Sequence, residues 1–105
     1  MSYRVRLAIR AIRDAAATIS FIRRKSGRSA MRWHAALVEA VLSLEDHPER
    51  CELAPEAEML GIELRQRLFG KRRNVYRILF IVVGQVVNVV HIRHAARKAW
   101  RPRDL

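Results

Sequence analysis

The chain opens on a two-residue rhythm. Tyr3, Val5, Leu7 and Ile9 alternate with Arg4 and Arg6, the period of a half-buried strand. From Ile12 the rhythm changes: Ile12, Ala15, Ala16, Ile19 and Ile22 recur three and four residues apart, one apolar stripe along a helix. Ser26-Gly27-Arg28-Ser29 interrupts it, with Gly27 suited to close the first helix and Ser29 to cap the next. Trp33, Leu37, Val41 and Leu44 form a second stripe that runs to about Asp46. Two helices across a short loop predict an antiparallel helical hairpin.

His47-Pro48 ends the second helix, because a residue before proline is pushed out of the helical region. Residues 47–61 are acidic, hold two of the three prolines, and predict a loop with at most a short turn. Ile62 to Leu68 reads as a strand, with Ile62, Leu64 and Gln66 on one face and Glu63, Arg65 and Arg67 on the other. Phe69 to Asn74 is a basic turn. Val75 to Val83 is apolar on both faces, as in a central strand covered twice. Gly84-Gln85 fits a type II′ hairpin turn, Val86 to about His94 is the last strand, and Ala95 to Leu105 is a short basic tail.

The expected architecture is α+β, a single domain over residues 1–105. An N-terminal strand and an antiparallel helical hairpin are followed by a three-stranded antiparallel meander. The hairpin covers one sheet face. The second apolar face of the central strand calls for cover by the C-terminal tail or by a partner chain. A membrane span over Val75 to Ile92 is disfavoured by Arg77, Gln85, Asn88 and His91, polar groups that a bilayer penalises by a few kcal/mol each. The N-terminus has no uninterrupted apolar segment of the kind a targeting signal needs.

Composition narrows the partners. The 105 residues are 50% apolar, enough for one modest core and too apolar for a disordered basic tail. Lys plus Arg number 21 against 10 acids, a net charge of +11, which points to a polyanionic or acidic partner. Residues 1–34 hold nine bases and one acid, residues 35–64 one base and eight acids, and residues 65–105 eleven bases and one acid. Basic and acidic regions are therefore expected on different surfaces. The lone Cys51 excludes an internal disulfide framework and points to a reducing cytoplasm.

No metal or cofactor is expected. His47 and Cys51 have Pro48 between them, and His91 and His94 fall on opposite faces of a strand, whereas zinc needs three or four convergent ligands. Cys51 lies near Glu49 and Glu52, which disfavour the reactive thiolate. The four glycines make no phosphate-cradling spacing. What remains is Arg65, Arg67, Arg77, Arg93, His94 and Arg97, which a meander over residues 62–94 can bring together. Arg77 sits among Val75, Ile78, Leu79, Phe80 and Ile81, where a lone charge is costly. It either pairs with an acid at the sheet end or binds a phosphate bidentately in a groove. His94 is either a satisfied strand-end residue or a base kept neutral by the positive charges beside it. Trp33 and Trp100 read as packing residues.

Ordered along the chain, these segments resemble the RelE/ParE superfamily of toxins from bacterial type II toxin–antitoxin modules. The resemblance is carried by Tyr3-Arg4-Val5, the hairpin with Trp33 and Leu37, and Leu64 to Gly70. It continues through Tyr76-Arg77-Ile78-Leu79-Phe80 and Val89 to Arg97. It implies a small antiparallel sheet bearing a helical hairpin, and a cognate antitoxin that wraps the toxin. RelE-like members cleave ribosome-bound mRNA without metal; ParE-like members inhibit DNA gyrase and lack that catalytic set. Arg65 matches the arginine after the family's leucine in the third strand region. Arg77 matches the arginine of the Tyr-Arg-hydrophobic motif that meets the scissile phosphate in cleaving members, and His94 falls where several of them carry a catalytic histidine.

The resemblance thus implies a catalytic set of Arg65, Arg77 and His94, with Arg67, Lys71, Arg72, Arg73, Arg93 and Arg97 contacting RNA. An arginine would neutralise the phosphorane while a neutral histidine takes the 2′-OH proton. The chain departs from the best-known cleaving members in two places: it has no Lys-rich catalytic segment, and Ala95 stands where they have a tyrosine. Cleavage of mRNA is the first expectation and gyrase inhibition the alternative. A third reading, a basic nucleic-acid-binding accessory protein, would show salt-dependent binding without growth arrest.

Overall fold

The structure, a computed structural model, describes residues 2–97. Strand β1 (Arg4–Leu7) leads into helices α1 (Ile9–Arg23) and α2 (Gly27–Ser43). A single 3-10 turn (Pro48–Arg50) and the short helix α3 (Ala57–Leu60) follow. Strands β2 (Arg65–Lys71), β3 (Asn74–Val83) and β4 (Val86–His94) complete a four-stranded sheet in the order β1-β4-β3-β2. β1 runs parallel to β4 and the other pairs are antiparallel, so the expected α+β architecture is present.

Side-chain alternation on β3 fixes the layers. Ile78 and Phe80 point into a core formed with Ala11, Leu37, Ala40 and Leu44 of the two helices. Leu79, on the opposite face, packs with Leu64, Ala54 and Ala57. The second face is therefore covered by the acidic stretch between α2 and β2, a correction to the expectation of tail or partner. The reason lies in three apolar residues, Ala54, Ala57 and Leu60, whose spacing within an acidic run turns one side inward as α3 forms. Residues 98–105, the greater part of the expected tail with Trp100, lie outside the described residues.

Local boundaries differ from the sequence pattern in three places. Helix α2 is capped by Ser26 rather than Ser29: Ser26 is extended and its Oγ accepts the Ser29 N–H at 3.1 Å. Gly27 is consequently the first helical residue and does not close α1. Ile9 begins α1 and is not the end of β1. Finally, β2 starts three residues later than expected and extends to Lys71, so the basic turn shrinks to Arg72-Arg73. Arg72 takes a left-handed φ of 56° there. Gly70, at φ 104°, lies so close to the returning strand that a Cβ would sit 2.1 Å from the Asn74 carbonyl oxygen.

Asp14 fixes α1 against the sheet. β1 pairs with β4 only as far as Val89, so among the described residues the β4 edge beyond it has no strand partner. Asp14 takes that place: its carboxylate accepts the Ile92 N–H at 3.0 Å and a hydrogen bond from His91 Nδ1. The guanidinium of Arg93 can only donate, so its 3.1 Å contact with His91 Nε2 makes that nitrogen the acceptor. His91 is therefore buried with Nδ1 against the Asp14 carboxylate and Nε2 against Arg93. Burial alone would raise the Asp14 carboxyl, but the hydrogen bonds from His91 and Ile92, with electrostatic attraction to His91 and Arg10, hold it below the usual carboxylate value.

Candidate functional site

The pairing register gathers one aromatic cluster at the end of the molecule where β3 begins and β4 finishes. Tyr76 lies opposite Phe69 on β2 and opposite His94 on β4. Trp33 of α2 packs against both Phe69 and Tyr76, with ring centroids 5.7 and 5.2 Å away. The His94 ring meets Tyr76 edge-on at 4.9 Å. Burial raises the Tyr76 hydroxyl above its ordinary value, which keeps it a neutral phenol.

Two open clefts flank this cluster. One, of about 400 Å³, is lined by Asp14, Thr18, Phe21, Tyr76, His94 and Arg97. The other, about 340 Å³, is lined by Phe21, Lys25, Ser29, Trp33, Asn74 and Tyr76. The second cleft places the α1–α2 turn directly beside the β2–β3 hairpin.

The residues proposed for catalysis are held apart. Arg77 follows Tyr76 in a regular strand, so its side chain leaves on the opposite face. There its guanidinium bonds both carboxylate oxygens of Glu56, at 2.9 and 2.5 Å, and its Nε donates to Gln66 Oε1 at 2.8 Å. The two side chains are 9% and 1% exposed. Of the two readings of Arg77, the ion pair with an acid is the one the structure contains. Arg65 donates to the Cys51 carbonyl at 2.7 Å and lies 3.7 Å from Glu63. His94 Nδ1 accepts the Ala96 N–H at 3.0 Å; a neutral imidazole has one unprotonated nitrogen, and here a backbone amide occupies it.

The residues expected to touch RNA divide likewise. Lys71, Arg72 and Arg73 are exposed at the hairpin tip, and Arg97 lines the cleft beside His94. Arg67 instead turns toward the helices, where its Nε meets Ser43 Oγ at 3.2 Å and Nη1 donates to the Leu68 carbonyl at 2.5 Å. Arg93 is buried against His91. The meander thus brings His94 and Arg97 together and sends Arg65, Arg67, Arg77 and Arg93 elsewhere.

Sequence reasoning missed Glu56, Asp14 and His91 as the groups that satisfy the interior charges. Glu56 is one acid among eight in its block, and Asp14 is 77 residues from His91, so neither pairing has a local signal. Burial outweighs the surrounding arginine charges and pushes the Cys51 thiol up, consistent with an unreactive cysteine. Among the described residues no group of three or more His, Cys, Asp or Glu is placed to hold a metal.

The helical hairpin carries a different surface. The apolar stripe on α1 is incompletely covered by the core: Ile12 is 54% exposed, as is Leu42 on α2. With Leu7, Ile19, Val38 and Val41 they line an apolar groove of about 350 Å³.

A family profile described as "ParE toxin of type II toxin-antitoxin system, parDE" matches residues 5–99. The chain belongs to the ParE toxin family. A solved structure described as "Chromosomal ParDE TA system from P. aeruginosa" matches with a TM-score of 0.69 at 18% identity, covering 89% of this chain and 96% of that one. That likeness carries the fold. No curated protein matches the chain. As a ParE-family toxin it has an antitoxin for a partner, and among its described residues no helix is long and apolar enough to cross a membrane.

Proposed function

We propose that this ParE-family toxin arrests growth by binding, as an inhibitor of DNA gyrase, with no chemical step of its own. The reading rests on one observation: the three residues suited to RNA cleavage occupy separate surfaces and are engaged internally. Cleavage of a phosphodiester needs a base at the 2′-OH and cations on the phosphorane within one hydrogen-bonded reach. Here Arg77 is spent on Glu56 beneath α3, Arg65 on the Cys51 carbonyl, and the base nitrogen of His94 on a backbone amide. The family's name for its members adds weight to the same side.

The apolar groove between α1 and α2 supplies the antitoxin site in this reading. A groove rimmed by Ile12 and Leu42 suits the apolar face of an amphipathic helix, with anchors spaced three and four residues apart.

Controlled expression in a bacterial host without the antitoxin tests the mechanism. Stabilised gyrase–DNA breaks with intact messages, and full toxicity of His94→Ala and Arg65→Ala, are the expected results. Cut messages with an early loss of translation, abolished by His94→Ala, would overturn the reading.

A further inference from the structure

We propose that the aromatic end of the molecule is a docking surface for duplex DNA, contacting the phosphate backbone directly. The inference rests on the placement of charge and stands apart from the identity of the protein target. The α1–α2 turn contributes Arg24, Lys25 and Arg28, and the β2–β3 tip contributes Lys71, Arg72 and Arg73; all six are exposed. The cleft that joins Lys25 and Ser29 to Asn74 makes the two turns neighbours. No residue between 18 and 36, nor between 65 and 97, is acidic. None of the six bases joins an ion pair with a described acid.

Asp14, which lines the cleft beside His94, is engaged by His91 and the Ile92 N–H, and the acids that follow α2 lie away from this pole. Helix α2, 17 residues long, carries the chain about 25 Å away to Glu45, whose carbonyl accepts the Tyr3 N–H at 2.9 Å. Such a separation gives the molecule a basic pole, and a pole of this kind steers toward a polyanion.

Two features favour a duplex over other acidic partners. Protein interfaces are anchored by apolar or aromatic side chains that enter the partner, but Phe69 and Tyr76 are already packed into the aromatic cluster. The open apolar groove lies on the helix pair instead. Single strands are held by bases stacked on open rings, yet Phe21, the exposed aromatic ring at this pole, carries Lys25 over its face at 5.5 Å. Six long cations on two adjacent turns match the evenly charged backbone of a double helix, which is bound through phosphates without base contacts.

The test is fluorescence anisotropy of a short duplex titrated with the full-length toxin, without gyrase, over a salt series. Six phosphate contacts predict a slope of about −5 in log affinity against log salt. Affinity should then fall about a thousandfold between 50 and 200 mM salt. Arg72→Asn with Arg73→Gln should flatten the slope by about 2; asparagine tolerates the left-handed position of residue 72. Arg4→Gln with Arg6→Gln, which removes the same charge from β1, is the control and should leave the slope within 0.5 units, roughly half of one contact. Equal effects of the two pairs would mean net charge alone and overturn the proposal. So would tighter binding of single-stranded RNA or of an acidic peptide than of the duplex. Gyrase inhibition is read in a separate supercoiling assay, so either result can fail without the other.

Discussion

Removing the Glu56 carboxylate should nearly unfold the protein, and the structure says by how much. Glu56 and Arg77 meet as a two-bonded ion pair whose side chains are 1% and 9% exposed. Glu56→Ala leaves the guanidinium buried with only Gln66 as a remaining side-chain acceptor among the bonds described above. Stranding one member of a buried pair costs about 3–5 kcal/mol. For a domain of this size each kcal/mol moves the melting temperature by about 4–8 °C, so Glu56→Ala should melt at least about 12 °C lower by circular dichroism. The pair itself is a different matter. Replacing both partners by methionine, which fits the same space without charge, should return the melting point to within about 5 °C of the parent. That double variant also separates stability from mechanism: folded and without Arg77, it should still arrest growth. A drop of under about 4 °C for Glu56→Ala, or a double variant no more stable than the single, would refute the account of Arg77 as a structural cation.

Three further outcomes follow from local geometry. Asp14 has a lowered pKa, so its contribution to stability is complete above the ordinary carboxylate range and is lost as pH falls through the lowered value. Asp14→Asn should therefore reduce the urea midpoint at neutral pH and close the gap with the parent as pH falls below the ordinary carboxylate range; a constant gap would contradict the assignment. Gly70→Ala should cost about 2–4 kcal/mol in urea unfolding, since a Cβ there meets the Asn74 carbonyl. A loss under about 1 kcal/mol would mean that the hairpin relaxes freely. Ser26→Ala should cost about 1 kcal/mol and Ser29→Ala under about 0.5 kcal/mol, and equal losses would place the cap of α2 elsewhere.

The one-dimensional pattern determined much of this toxin. Apolar spacing gave both helices because an amphipathic stripe has few other places to go. The two-faced apolar run from Val75 to Val83 marked the central strand, since only a strand covered twice is apolar throughout. Alternation also separated Tyr76 from Arg77, a purely local consequence of the strand repeat. Charge blocks announced a basic and an acidic region before any contact was known.

Tertiary structure decided the rest, because it depended on pairings between distant residues. Nothing near Arg77 in sequence singles out Glu56, 21 residues away, and nothing near Asp14 announces His91. Those two pairings show what Arg77 and His91 touch inside the fold, a carboxylate in each case. Tertiary packing turned an acidic loop into the cover of the second sheet face through Ala54 and Ala57. It also left part of the α1 stripe open as a groove. An amphipathic pattern records which side of a helix is apolar, but which part of that side the core reaches is set by how the helices lie on the sheet.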